Sequence, residues 1–323
     1  MMTRFAAVDC GTNSIRLLIT EVTADVFREI TRENRIVRLG QGVDATGELD
    51  PEAIERTRVA LTEYVELMEA EGVQVVRMVA TAATRDAANR DAFFSMTRVL
   101  LSRIRPGYQA EVITGEEEAQ LSFRGAVADL DPAQGPFCVI DLGGGSTEFI
   151  VGTHDGEILG SHSAQMGCVR LTERIMRSDP PTATEVEIAR DYVSERIAEV
   201  SAIVPISRAN TFVGVAGTFT TISAWVQGLE SYDRAAIHLS ELNFDALRVV
   251  TDEIIRESAA QRAGNPVVDP GRADVIAGGS VVVQGAIDLA AREAGVNSIV
   301  ISEKDILDGL ILGLVEEYGT VAP

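Results

Sequence analysis

Lysine is almost absent from this chain: Lys304 is the only one in 323 residues, against 27 arginines (28 basic residues less that lysine). A Walker A loop needs a lysine after its last glycine, so that mode of phosphate binding is excluded. Any grip on phosphate must use arginine, backbone N–H groups or metal. Cysteine and histidine are scarce as well. Cys10, Cys138 and Cys168 are scattered and odd in number with no Cys-x-x-Cys pair, and His154, His162 and His238 stand apart. Neither a disulfide framework nor a zinc or histidine metal centre is indicated. No apolar run approaches the roughly 18 to 20 residues of a membrane span. The N-terminus, MMTRFAAVDCG, enters a strand without the apolar stretch of a signal peptide, so a cytoplasmic location and no membrane partner are expected. Positive charge is short overall. A formal charge of −21 argues against nucleic-acid or acidic-membrane partners, which need an excess of basic residues to neutralise phosphates. At 46% apolar, the chain is long enough for about two ordinary domains.

What the chain does have is glycine in informative places. Phe137 to Val151 reads FCVIDLGGGSTEFIV: a short apolar run suited to a buried strand, an acid, three glycines, two hydroxyl residues and a second strand. Glycines leave backbone N–H groups unobstructed, so an anion can sit against the main chain, with Ser146 and Thr147 adding hydroxyl donors. Asp141 and Glu148 flank this cradle, and carboxylates beside a phosphate are a usual way to hold Mg²⁺. A tight hairpin with a solvated glutamate would produce the same local pattern. A second copy weighs against that: Phe5, Asp9, Gly11 and Ser14 fall on Phe137, Asp141, Gly143 and Ser146 at a constant offset of 132 residues. Two related halves are implied, each offering an anion-binding hairpin, and the two could face one another across a cleft.

In chain order, residues 4–10, 15–22 and 26–38 read as strands. Asp50 and Pro51 open a helix whose apolar positions Ile54, Leu61, Val65 and Met68 recur until Gly72 stops it. Strand 73–80, helix 92–104, strand 110–113 and helix 116–129 complete a βββαβαβα order. The second half repeats it with strands 137–142, 147–152 and 157–164, helical material to about 203, strand 211–216, a helix-rich insertion, a long helix 273–294, strand 297–301 and a closing helix 304–318. Asp129 to Pro136 (DLDPAQGP) is the clearest joint and an expected hinge. The expected domains are 1–128, with the closing segment 304–323 packing back on it, and 129–303.

Two such halves look like the actin, sugar kinase and heat-shock ATPase superfamily. Within it, the combination VDCGTNSIRLLI, ATAATR, ITGEEEA, IDLGGGSTE, MGCVRLTE and VAGTFTT resembles the exopolyphosphatase/guanosine pentaphosphate phosphohydrolase family. The resemblance implies an α/β fold of two actin-like (ribonuclease H-like) domains with an interdomain cleft. It implies Mg²⁺-dependent hydrolysis of the terminal phosphoanhydride of inorganic polyphosphate or of pppGpp, with Mn²⁺ as the alternative ion, in a homodimer. Longer members carry a C-terminal helical extension with an HD-type domain that helps hold extended polymer. This chain stops after its closing helix, so short chains are the expected substrates.

Site residues follow from the same resemblance. Glu118 matches the position of the general base that activates water, whereas Glu116 and Glu117 suit a helix start and Thr114 with Glu117 fits a capping box. Arg85, after a strand, matches a phosphate-binding arginine. Thr12, Asn13 and Ser14 would hold one phosphate and Gly143, Gly144, Gly145 and Ser146 another. Asp141 and Glu148 are the metal candidates and Asp9 a weaker one, although Asp9 and Asp141 could each simply cap their own turn. Arg16 has no such match and could face solvent. Gly167 with Cys168 matches a turn near the substrate, and the implied hydrolysis needs no cysteine nucleophile. Gly217 and Thr218 sit where a strand meets a helix, a further anion site for more phosphates or a nucleotide base. The rivals are a pppGpp 5′-phosphohydrolase with the same chemistry, an ATP-dependent sugar kinase, and a non-catalytic alarmone sensor.

Overall fold

A computed structural model of the chain describes residues 2–23 and 26–319, apart from the side chains of residues 44 and 86. The chain divides into two compact units, Met1–Leu121 with Ile306–Pro323, and Ser122–Asp305. The division falls inside a helix rather than in the proline-containing stretch 129–136, which belongs to the second unit.

The first unit is built on strands β1 (Met2–Cys10), β2 (Ser14–Thr23), β3 (Val26–Ile36), β4 (Val75–Ala80) and β5 (Glu111–Val112), in the order β3-β2-β1-β4-β5. β1–β2 and β2–β3 are antiparallel, whereas β4 and β5 follow β1 in parallel. Its helices are α1 (Val43–Thr46), α2 (Pro51–Ala70), α3 (Ala82–Asp86), α4 (Asp91–Leu101) and the first part of α5 (Gly115–Val127). Helix α2 starts as its sequence dictates: the Asp50 carboxylate accepts from the Glu52 amide at 2.7 Å and Pro51 takes the first helical position. β1 buries both faces, so its apolar run need not alternate with polar residues. Ala6, Val8 and Cys10 join a core with α2 and α4, while Phe5 and Ala7 pack with Leu307, Leu310 and Leu314 of the closing helix, Ile306–Tyr318. That return packing ties the chain's last helix to its first strand. Residues 320–323 of the expected closing segment lie outside the described residues.

The second unit continues α5 and adds α6 (Cys168–Arg174), α7 (Ala183–Ile203), α8 (Ala216–Val226), α9 (Arg234–Ile237), α10 (Phe244–Arg256), α11 (Ala259–Ala263) and α12 (Ile276–Ala294). Its sheet holds β6 (Phe137–Leu142), β7 (Thr147–Gly152), β8 (Ile158–Ala164), β9 (Thr211–Val215), β10 (Ser240–Asn243) and β11 (Ser298–Ile301), ordered β10-β11-β9-β6-β7-β8. The β6–β7–β8 meander repeats β1–β2–β3, with β9 parallel to β6 as β4 is to β1. β10 has no counterpart in the sequence reading. It is four polar-biased residues, SELN, paired antiparallel to β11 at the sheet edge, too short and too hydrophilic to stand out from the helices around it. No helix among the described residues is long and apolar enough to cross a membrane.

Candidate active site

In the first unit, β1, β4 and β5 run parallel and end together: Cys10 pairs with Ala80 and Ala80 with Val112. The segments that follow them are therefore gathered at one sheet end, outside the carboxyl ends of the strands, where open α/β sheets bind ligands. They are the turn 11–13, helix α3 with Arg85, and α5 with Glu118. Gly40 packs the turn against α3, since a Cβ there would lie 2.4 Å from Thr12 Cγ2 and 2.9 Å from Ala83 Cβ.

Arg85 Nη1 lies 3.3 Å from Glu118 Oε2 and donates to the Ile113 carbonyl at 3.1 Å, so base candidate and phosphate candidate are brought together on a fixed guanidinium. Both side chains are half-buried. The three glutamates of α5 have separate work. Glu117 donates its amide to Thr114 Oγ1 at 3.1 Å while its carboxylate binds Arg77 at 2.6 Å, so the expected capping box closes on one side only.

The turn between β1 and β2 closes with Gly11 N–H donating to Ser14 O at 2.9 Å. Its carbonyls are occupied: Thr12 O accepts from Gly40, and Asn13 O from Val37 and Arg38. The Thr12 and Asn13 amides have no protein acceptor among the described residues, which leaves two donors for an anion. Asp9 and Arg16 face each other across the hairpin, and Arg16 reaches Asp9 Oδ2 with Nε at 3.0 Å and Nη2 at 2.6 Å. Arg16 does not simply face solvent. Asp9, the weaker metal candidate, is thus ion-paired with Arg16.

The second unit repeats the geometry with other charges. Gly143 N–H donates to Ser146 O at 3.0 Å, and the loop carbonyls are taken by the start of α6: Cys168 N–H bonds Gly143 O, and Val169 and Arg170 N–H bond Gly144 O. Arg170 Nε adds a bond to Gly145 O at 2.6 Å. Again the two middle amides, of Gly144 and Gly145, have no protein acceptor among the described residues. Gly167 is required for this packing because a Cβ there would lie 2.2 Å from Gly144 O. Its place is behind the loop, supporting it. Asp141 and Glu148 are cross-strand partners of β6 and β7, which puts the two carboxylates on one face of the sheet. Each is held by hydroxyls. Ser122 donates to Asp141, and Ser146 and Ser163 donate to Glu148 at 2.7 and 2.6 Å. The Ser146 hydroxyl is thereby directed at a carboxylate rather than left for phosphate.

Gly217 follows Ala216, the first residue of α8 with φ +69, and a Cβ at 217 would overlap the Arg272 guanidinium at 1.3 Å. Arg272 therefore lies flat on this helix start, a placement that sequence reasoning missed. Thr218 turns inward: its side chain meets Gly279 and the Cys168 thiol, so only its backbone is suited to an anion. Burial pushes the Cys168 thiol up to about 11, which keeps it protonated and unsuited to nucleophilic attack.

The pattern of the Ppx/GppA phosphatase family matches residues 18–316. The chain belongs to this family. It is 54% identical over 317 residues to exopolyphosphatase 2 of Mycobacterium tuberculosis, covering 97% of this chain and 99% of that protein. Among solved structures, it resembles an exopolyphosphatase-like protein with a TM-score of 0.90 at 38% identity, covering 98% of this chain and 99% of that one. The Aquifex aeolicus Ppx/GppA family member gives a TM-score of 0.80 at 29% identity over 99% of both chains. The fold is accordingly the α/β arrangement of two actin-like domains found in Ppx/GppA proteins.

Among the described residues, no group of three or more His, Cys, Asp or Glu could hold a metal ion. The Asp141–Glu148 pair suits Mg²⁺ nonetheless, because that ion commonly takes one or two carboxylates and fills its remaining positions with water and substrate phosphate. Their hydroxyl partners, Ser122 and Ser163, are distant in sequence and carried no signal. The β6–β7–β8 register, which sets Ser163 opposite Glu148, is what would have found one of them.

Proposed function

We propose that this chain is an exopolyphosphatase, hydrolysing the terminal phosphoanhydride of inorganic polyphosphate and releasing orthophosphate. The name of the Mycobacterium tuberculosis relative supports the substrate. The observation that carries the chemistry is the Glu118 carboxylate 3.3 Å from the Arg85 guanidinium at the carboxyl ends of parallel strands.

Glu118 takes a proton from water, whose oxygen attacks the terminal phosphorus as the bridging P–O bond breaks and its electron pair leaves with the shortened chain. Arg85 presents fork-shaped donors to phosphoryl oxygens, and a phosphate arriving there competes with Glu118 for the guanidinium, freeing the carboxylate for the proton. The Thr12 and Asn13 amides, at the same sheet end as Arg85 and Glu118, supply fixed donors that need no reorganisation as charge develops, and in the second unit the Gly144 and Gly145 amides offer the same to a phosphate there. Asp141 and Glu148 would hold Mg²⁺, with Mn²⁺ as a substitute, and the ion when bound shields the leaving phosphate and orients the scissile group. Homodimerisation is part of the proposal, and sedimentation velocity tests it.

The test is phosphate release from short polyphosphate, long polyphosphate, pppGpp and ATP, each with Mg²⁺, for the native chain and Glu118→Gln. Best turnover of polyphosphate with an inactive variant supports the assignment and the base together. If pppGpp is preferred, the mechanism stands and the substrate changes. Tight binding of pppGpp with no hydrolysis of anything would leave a sensor in place of an enzyme.

A further inference from the structure

Thr81 is only 5% exposed, yet its hydroxyl has no hydrogen-bond partner among the described residues. Two other threonines of the first unit, Thr3 and Thr84, also have unpaired hydroxyls, and theirs are sealed from solvent. The Thr81 hydroxyl is unpaired without being sealed. A polar group left unmade in a buried residue has a cost and requires an explanation.

The backbone places this hydroxyl at the candidate active site. Thr81 is the first residue beyond β4; its N–H donates to Cys10 O at 3.3 Å and its carbonyl accepts from Arg85 N–H at 3.0 Å. It therefore stands between the end of β1 and the helix that carries Arg85. Its Oγ1 lies 3.9 Å from where a Cβ on Gly11 would be, at the start of the turn 11–13. Gly11 is not among the glycines with positive φ, and the other atom near such a Cβ, Ser14 O at 3.7 Å, is at ordinary contact distance. Neither conformation nor packing demands a glycine there. A side chain at 11 would instead stand over the Thr81 hydroxyl, and glycine leaves it uncovered.

We propose that Thr81 is a further phosphate-contacting residue of the first unit, its hydroxyl donating to an oxygen of the same phosphoryl group that the Thr12 and Asn13 amides and Arg85 receive. This rests on the hydrolysis proposed above. A hydroxyl hydrogen rotates to suit its acceptor, and a charged phosphoryl oxygen accepts more strongly than a neutral group does. Thr84 belongs to the same short helix as Arg85 but is excluded from this role, because a sealed hydroxyl meets no ligand.

Phosphate release from polyphosphate and calorimetric titration with orthophosphate test the contact in the native chain, Thr81→Val, Thr81→Ser and Thr84→Val. Thr81→Val keeps the branched shape and removes the hydroxyl. It is expected to lower kcat/KM and orthophosphate affinity by about 10- to 100-fold without lowering the unfolding temperature. Thr81→Ser should restore both to within about threefold of native, and Thr84→Val should leave both unchanged. Native kcat/KM and affinity in Thr81→Val would overturn the assignment. So would a Thr81→Ser as impaired as Thr81→Val, since the side chain would then serve packing. A native chain that binds orthophosphate but hydrolyses no phosphoanhydride sinks the functional reading instead, and the affinity of Thr81→Val then decides the contact. If Thr81→Val does not fold, Gly11→Ala takes its place: a tenfold loss of orthophosphate affinity supports the contact, and native affinity overturns it.

Discussion

The two hairpins of this protein have one backbone and different residues facing the aspartate. Both close with a glycine N–H to a serine carbonyl, at 2.9 Å in the first and 3.0 Å in the second, and both have their turn carbonyls engaged by a following segment. Opposite Asp9 stands Arg16; opposite Asp141, at the equivalent register, stands Glu148. The first pair neutralises itself. The second sets two carboxylates on one face, with 2% exposure at Glu148, and the hydroxyls of Ser122, Ser146 and Ser163 donate to them. A single cross-strand position thus gives the duplicated scaffold an aspartate–arginine pair in one arm and two carboxylates in the other, the pair proposed above to hold Mg²⁺.

The largest expected effect lies beside the first hairpin. Glu118→Gln removes the proposed base and should lower the rate by about 10² to 10⁴ without changing the Mg²⁺ requirement. A loss under tenfold would place the base elsewhere. Glu148→Gln keeps volume and hydroxyl partners but removes one of the facing charges, and should raise the Mg²⁺ needed for half-maximal activity by about 10². Asp9→Ala is the contrast. It should leave the Mg²⁺ requirement as it was and act on stability, because Arg16, only 19% exposed, loses its ion pair with Asp9. The cost should be about 2–3 kcal/mol in denaturant unfolding, below that of a fully buried broken pair. If Asp9→Ala shifts metal dependence as far as Glu148→Gln does, the two hairpins are equivalent after all.

Backbone placement was largely legible in the sequence, and charge pairing was not. The offset that aligns Asp9 with Asp141 also aligns Arg16 with Glu148, so the contrast was present in the letters, but a repeat is noticed where it agrees. Apolar runs such as FAAV and FCVI mark strands because burial on both faces demands them. Arg85 and Glu118 meet because their strands end together, which the βββαβαβα order implies. Ser122 beside Asp141 and Arg272 on Gly217 depend on how distant segments pack, and a serine or an arginine has the same local signature wherever it points. Thr218 shows the converse: its motif suggested a phosphate ligand, while packing against Gly279 turned its side chain inward.

The last comparison, whose weaker member is the smallest effect expected, concerns how firmly each turn is backed. In the first hairpin a Cβ at Gly40 would meet Thr12 Cγ2 at 2.4 Å, a methyl that can rotate away, with Ala83 Cβ next at 2.9 Å. In the second a Cβ at Gly167 would meet Gly144 O at 2.2 Å and Gly145 N at 2.5 Å, main-chain atoms that move only if the loop moves. Both substitutions by alanine overpack, but the first should cost about 1 kcal/mol and the second about 3 kcal/mol. Thermal unfolding of Gly40→Ala and Gly167→Ala measures the difference. Because one of the displaced atoms at 167, Gly145 N, is a proposed phosphate donor, Gly167→Ala should also raise KM for polyphosphate and the Mg²⁺ requirement, whereas Gly40→Ala should affect KM alone. Equal costs and equal kinetic effects would mean that the second loop is no more rigidly backed than the first, and the asymmetry between the hairpins would reduce to the charge opposite the aspartate.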